Sequence, residues 1–364
     1  MRIGIYYRHR FHQGIFQTTL AALAPRHHCL ATDDIGELVR FTPHVVLAAE
    51  DLTYLHLRAH LPFTRFVHVR HGLANKGVPD RSFRAADYVC LTSEFVRDDF
   101  ISRGIQPRRE YWLTGYVQMD NLLRSPRPEQ IPDGRKVILY APTWHHGLSS
   151  LPLILPRALE LLHAGREDTF LVIKPHPLVQ QGNDPKLAPW IKALREMCRG
   201  RRDTYLVDER GADIMPWLNA ADVLVTDASS TQLEFLALNR PMVLINHPER
   251  LQSPYYDPTG YEWRWREMGH IVDDIEQLPA AIHTSIDSPA VGEKERLHYR
   301  HLLFGDSVDG RSGERVAERV HELESQVSSD SRLRAARPIG WAVYHSLPQL
   351  RNVSRFFKRL LRPA

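Results

Sequence analysis

Ten short runs rich in β-branched and aromatic residues alternate with helical patterns, and that alternation constrains the fold more than any other feature of the chain. In the first half the runs are RIGIYY (2–7), HVVLAA (44–49), RFVHV (65–69), DYVCL (87–91) and EYWLT (110–114). In the second half they are KVILYA (136–141), TFLVIK (169–174), TYLVD (204–208), DVLVT (222–226) and PMVLIN (241–246). Helical stretches lie between them, at 93–103, 151–164, 186–198, 213–219 and 231–238. Strand and helix in alternation predict parallel sheets covered by helices on both faces. The segment SPRPEQIPDG (125–134), with three prolines and a glycine, has the composition of a linker. The chain is therefore expected to be α/β, with a Rossmann-like domain at 1–125, a linker at 126–135, a second Rossmann-like domain at 136–330 and a tail at 331–364.

Composition narrows the class. The chain has 364 residues, is 43% hydrophobic and 25% charged, and so is an ordinary globular protein with room for two domains. No apolar run approaches the roughly 20 residues needed to cross a bilayer. The N-terminus is too charged for a signal peptide and reads as a first strand. Three scattered cysteines, Cys29, Cys90 and Cys198, form neither a disulfide framework nor a metal set, which points to a reducing cytoplasm. Charge is unevenly placed. Residues 331–364 carry eight Lys or Arg and no acid, whereas residues 1–330 carry 39 basic and 43 acidic side chains. The basic character belongs to the tail, and no nucleic-acid partner is expected.

In open parallel sheets ligands sit beyond the carboxyl ends of the strands, so the residues after each strand matter most. After 65–69 comes His71-Gly72-x-x-x-Lys76-Gly77: a group that moves protons near neutral pH, a permissive turn and a point charge for phosphate. After 169–174 comes Lys174-Pro175-His176-Pro177, with the histidine held in a restricted loop between two prolines. After 222–226 comes Asp227-Ala228-Ser229-Ser230-Thr231 and a helix start, which offers hydroxyls and backbone N–H groups to an anion. Taken singly, each has a plain structural alternative: a surface turn, a rigid solvated loop, an N-cap. Pro142-Thr143-Trp144-His145-His146-Gly147 reads equally as an aromatic wall or a structural turn. Tyr116 to Asp120 would face the cleft between domains, and Ser312 is positioned to cap the last core helix. No G-x-G-x-x-G after a strand, Walker lysine loop, G-x-S-x-G elbow or Asp-x-Asp is present, and the histidine pairs lack zinc spacing.

Taken together, the motifs are specific. HGLANK, TGYVQMD, LYAPTW, KPHP, ADVLVTDASSTQLEFLALNRPMV and DGRSGERV occur in the order and approximate spacing of the CDP-glycerol glycerophosphotransferase family, the teichoic-acid primases and polymerases and their capsule-polymer relatives. The chain resembles that family over about residues 65–320. The resemblance implies a two-Rossmann (GT-B) architecture and transfer of glycerol phosphate from CDP-glycerol to a polyol, sugar or growing polymer, with release of CMP. It also implies that His71 is the catalytic base and that His176, Ser229 and Ser230 bind phosphate. Ala228 stands where the family often has an aromatic residue, and Tyr116-Val117-Gln118 where it often has Asn-Pro-Arg.

On this reading His71 and His176 form the catalytic pair. Lys76, Lys174, Asp227, Ser229, Ser230 and Thr231 bind the donor, with Asp227 a cap or ribose partner. Glu50 and Asp51 are reserve candidates for the base. A fixed positive surround could stand in for a divalent metal, and no cofactor is expected. The rival readings are a GT-B glycosyltransferase using a nucleotide sugar, and a non-catalytic nucleotide-binding or membrane-associated protein. The acceptor would be a lipid-linked or polymeric glycan. In the tail, Leu347, Leu350, Val353, Phe356, Phe357, Leu360 and Leu361 fall on one side of a helix and basic residues fill much of the rest. Trp341 and Tyr344 precede them, as suits a lipid boundary. Residues 338–362 are expected to attach the protein peripherally to the anionic inner face of the cytoplasmic membrane.

Overall fold

A computed structural model describes residues 1–50, 53–73, 80–209 and 211–328. Lys76, Asp51 and the whole basic tail lie outside the described residues. The first sheet contains β1 (Arg2–Tyr6), β2 (His28–Thr32), β3 (Val45–Ala48), β4 (Arg65–His68), β5 (Tyr88–Leu91) and β6 (Glu110–Leu113) in the order β2-β1-β3-β4-β5-β6. The second contains β7 (Lys136–Tyr140), β8 (Thr169–Ile173), β9 (Thr204–Leu206), β10 (Val223–Thr226), β11 (Met242–Ile245) and β12 (His270–Val272) in the order β12-β11-β10-β7-β8-β9. Every pairing is parallel. Central strands such as Val45–Ala48 and Met242–Ile245 are buried along their whole length, as a sheet covered on both faces requires. The α/β architecture with two Rossmann-like sheets is therefore as expected from the alternation.

Ten of the twelve strands coincide with the runs read from the sequence. The two that do not, β2 and β12, are edge strands. His28–Thr32 is mostly half-exposed, and His270–Val272 is three residues long with only Val272 buried. Neither carries the apolar run of a central strand.

One apolar core lies under both halves, bringing Phe66 and Val89 of the first sheet together with Val137 and Leu224 of the second. The opposite face of the second sheet has its own core, built on Ile138, Ile173 and Val225. The opposite face of the first sheet is closed by the last described helix, Ser312–Ser328, whose Val316, Val320 and Leu323 pack with Ile3, Val45 and Trp112. Each such fully buried aliphatic side chain contributes about 1.5–3 kcal/mol. The helix thus returns to the first sheet although it follows the second in sequence. Its first N–H groups, on Ser312 and Gly313, donate to the two carboxylate oxygens of Asp120 at 2.9 and 2.7 Å. The cap expected from Ser312 itself is supplied instead by Asp120. Gly313 has a reason of its own: a Cβ there would lie 2.7 Å from the Thr19 nitrogen.

Candidate functional site

Strand order reverses at β1/β3 in the first sheet and at β7/β10 in the second, and the loops that leave these strands face each other across a cleft. From the first half the cleft is lined by His12, Ile15, His71 and Gln118. From the second it is lined by Lys174, His176, Asp213, Ser229, Ser230, Thr231 and Glu234.

His71 follows β4 and is exposed to the cleft. Its Nδ1 lies 2.8 Å from the carbonyl oxygen of Ala49, the residue after β3. A carbonyl only accepts, so Nδ1 carries the proton and Nε2 is the basic nitrogen. The turn is anchored from below. His68, buried in the same strand, meets the Tyr54 hydroxyl at 3.0 Å, and that hydroxyl donates to the carbonyls of Ala48 and Val67. Burial holds the His68 pKa well below its ordinary value, so the ring is a neutral core group. Arg70 is also structural: it is buried, donates to the Leu73 carbonyl at 3.1 Å and lies over the rings of Phe83 and Phe100. Gly72 faces Ser230, whose Oγ would be 3.5 Å from a Cβ at that position, so the turn after β4 abuts the turn after β10.

His176 has the opposite arrangement. Its Nδ1 accepts the Leu178 N–H at 3.2 Å, capping the helix Pro177–Gln181. An N–H only donates, so in the neutral ring the proton is on Nε2, which becomes a hydrogen-bond donor. Lys174 lies beside it at the end of β8 and is 3% exposed. Burial lowers its pKa to about 8, against the pull of Asp213 and Glu209. Ser229 caps the helix Ser230–Phe235. The expected phosphate-side residues Lys174, His176, Ser229, Ser230 and Thr231 are thus brought to one wall, with His71 opposite.

Asp227 is placed differently. It is fully buried, and its carboxylate accepts from the Thr143 amide at 2.9 Å, the Ser150 amide at 2.8 Å and the Ser150 hydroxyl at 2.9 Å. It ties the loop after β7 to the loop after β10 and is not among the residues that line the cleft. Arg266, buried as well, donates to the Asp227 carbonyl at 2.9 Å and to Asn246 at 2.8 Å. Trp144 stacks on His145 and packs against the second core, and of the segment 142–147 it is Pro142 that lines the cleft.

Two participants were not legible beforehand, His12 and Glu234. His12 comes from the turn Arg10–Phe16 after β1, and its ring centroid is 5.1 Å from that of His71. Its Nδ1 is 2.9 Å from Glu50, which also accepts the Arg8 and His9 amides at 2.8 and 3.3 Å. Burial alone would raise the Glu50 pKa, but His12 and the two amides more than offset it and the pKa falls. Glu50, the reserve base, is therefore an ionised anchor for His12. Tyr116 and Gln118 both donate to the His71 carbonyl, at 3.0 and 2.9 Å, and Tyr116 reaches Glu234 at 3.0 Å. Burial raises the Glu234 pKa to about 7. Among the described residues no three His, Cys, Asp or Glu side chains are grouped as metal ligands.

The profile of the family described as CDP-Glycerol:Poly(glycerophosphate) glycerophosphotransferase matches residues 32–322. A teichoic acid glycerol-phosphate primase of Bacillus subtilis (strain 168) is 30% identical over 118 residues, which are 32% of this chain and 27% of that protein. A teichoic acid glycerol-phosphate primase of Bacillus spizizenii (strain ATCC 23059 / NRRL B-14472 / W23) is 27% identical over 184 residues, 50% of this chain and 40% of that protein. The chain thus spans less than half the length of these curated relatives. Among solved structures, the wall teichoic acid polymerase TagF superimposes with a TM-score of 0.68 at 14% identity, covering 91% of this chain and 90% of that one. At that identity the likeness is one of fold.

Proposed function

The chain belongs to the CDP-Glycerol:Poly(glycerophosphate) glycerophosphotransferase family, and from that premise we propose that it transfers glycerol phosphate from CDP-glycerol to a hydroxyl of a cell-surface glycan or its lipid-linked precursor. The observation that carries this reading is the pair of opposite tautomers across one cleft. His71 presents a basic Nε2 and His176 an Nε2–H, with a buried ammonium and two serine hydroxyls beside the latter.

In the reaction, the diphosphate of the donor lies against Lys174, His176, Ser229 and Ser230. The acceptor hydroxyl attacks the phosphorus that bears glycerol. Its oxygen forms the new O–P bond while the bond from that phosphorus to the oxygen bridging to the CMP phosphate breaks. The hydroxyl proton passes to His71 Nε2, and CMP leaves with the bridging oxygen. Negative charge spread over the transferred group is met by His176 and Lys174, so most of the acceleration comes from position and charge. Lys174 gains most from the approach of an anion, because burial has already weakened its hold on the proton. The Tyr116 and Gln118 bonds to the His71 carbonyl keep the base in place. Thr231 supplies an amide at the same turn.

The division at 126–135 makes the first half the acceptor side and the second the donor side. The basic tail then holds the enzyme at an anionic membrane surface, where a lipid-linked acceptor is found; no helix among the described residues is long and apolar enough to cross a membrane. A screen of CDP-glycerol, CDP-ribitol and UDP-sugars against glycan acceptors, with mass detection of the released nucleotide, tests the reading. CMP from CDP-glycerol is expected; UDP from a nucleotide sugar would overturn it in favour of glycosyl transfer.

A further inference from the structure

The cleft does not end at His71. A second cavity of about 390 Å³ opens on the first half's side of it, within the range of small-molecule sites, about 300–1,000 Å³. Ile15, Gln118, Gly211 and Asp213 line both cavities, so the two form one trough. The turn Arg10–Phe16 is the partition: His12 faces the first cavity, Gln13 and Phe16 face the second, and Ile15 faces both. The turn is held at each end, by Glu50 on the Arg8 and His9 amides and by Asn121, which donates to the Gly14 carbonyl at 3.1 Å.

We infer that this second cavity is the acceptor subsite, and that it takes the neutral, hydroxyl-bearing end of a glycan in preference to the phosphate-bearing end of a polyol phosphate chain. The inference rests on the transfer reading above for its orientation, because Gln118 lines this cavity and bonds the carbonyl of His71. A hydroxyl entering past Gln118 reaches the base, while the donor lies against the opposite wall. The choice of ligand rests on the lining. Gln13, Gln17 and Gln118 contribute carboxamides, each of which offers donors and an acceptor and so matches hydroxyls, which do both. Tyr7 and Phe16 supply flat apolar surface for the face of a sugar ring. Asp213 stands where the two cavities join; on the donor side Lys174 offsets its charge, whereas among the described residues no basic side chain lines the second cavity, and there the carboxylate accepts from hydroxyls and repels an anion. A phosphate beside the attacking hydroxyl would have to pass that carboxylate. A neutral sugar would not.

The test is binding to the full chain at pH 8 without donor, read by saturation-transfer NMR and titration. The neutral probes are methyl β-D-glucoside and methyl N-acetyl-β-D-glucosaminide; the anionic probe is di(glycerol phosphate). Two variants report on the cavity: Gln17→Ala, which removes an exposed amide, and Ala31→Phe, which fills the cavity from β2. The neutral glycosides are expected to bind the wild type, about tenfold more weakly to Gln17→Ala, and not at all to Ala31→Phe. Binding of di(glycerol phosphate) is expected to be indifferent to Ala31→Phe. Glycosides that ignore both variants, or a polyol phosphate whose binding Ala31→Phe abolishes, would overturn the inference. CDP-glycerol titrated into the same three proteins judges the donor reading separately: its failure to bind, with glycoside binding intact, would remove the transferase assignment and leave the cavity assigned to a neutral glycan.

Discussion

Tyr116 and Glu234 meet in a buried hydrogen bond of 3.0 Å that joins the end of the first sheet to the helix after β10. The Tyr116 hydroxyl also lies 3.0 Å from the His71 carbonyl. Tyr116 is the donor in both contacts, and the carboxyl beside it can be ionised or protonated. Burial, which raises the Glu234 pKa to about 7, favours the protonated state. The unfolded chain releases the same proton near the ordinary value of 4.5. Stability from this carboxyl is therefore fully present below pH 4.5 and lost as pH rises through 7. Glu234→Gln, which cannot ionise, should match wild type near pH 4.5 and exceed it by about 3 kcal/mol at pH 8. Urea denaturation of both proteins at several pH values measures the gap; a gap that does not change with pH would mean Glu234 is not held protonated.

His71→Ala is expected to lower the rate of transfer by about 10²–10⁴ with donor affinity little changed, as for loss of a general base. Turnover within threefold of wild type, in a radiolabelled CDP-glycerol assay, would assign His71 to structure.

Donor binding is expected to carry the signature of Lys174. Below pH 8 the ammonium is charged and holds the diphosphate; above it the group loses its proton and affinity falls. Calorimetric titration of CDP-glycerol from pH 6.5 to 9.5 should therefore break near pH 8 in wild type, and the break should vanish in Lys174→Met. His176→Ala, and Ser229→Ala with Ser230→Ala, should weaken binding by about tenfold or more as charge-assisted or hydroxyl contacts are lost. Unchanged affinity in both would place the donor elsewhere.

Asp120→Ala leaves two buried N–H groups, on Ser312 and Gly313, without their acceptor. A loss of about 2–6 kcal/mol is expected, at about 1–3 kcal/mol per buried donor. Denaturant midpoints within error of wild type would show that water replaces the carboxylate.

Truncation at Asp330 is expected to abolish flotation with anionic vesicles, since each basic residue near such a surface contributes about 1 kcal/mol. Equal flotation of the full and shortened chains, or of neither, would exclude the tail as the anchor.

How much of this was legible beforehand depended on whether the signal was local. Central strands were read correctly because burial on both faces writes an unbroken apolar run; the edge strands β2 and β12 have no such run. The stretch 151–164 reads as one helix, yet the structure breaks it at Leu155–Arg157. Pro156 has no N–H to donate and restricts the residue before it. Asp227, following a strand, reads as a cap or a ribose partner. Its three internal donors come from Thr143 and Ser150, 84 and 77 residues away, and nothing near Asp227 in sequence announces them.

The sequence by itself determined the α/β class, most of the strands, and that His71, Lys174, His176 and Ser229 to Thr231 stand at strand ends, because hydrophobic period and turn chemistry are properties of neighbouring residues. Only the tertiary structure decided what each of those groups can do. Nε2 is the basic nitrogen of His71 because the Ala49 carbonyl, 22 residues away, accepts the hydrogen bond of its Nδ1–H. His12 joins the site because Glu50, 38 residues away, orients it. The last helix is closed by Asp120 from 192 residues away. A histidine's tautomer and a carboxylate's role are set by the atoms within about 3 Å of them, and which atoms those are is a matter of how the strands are ordered in the sheet.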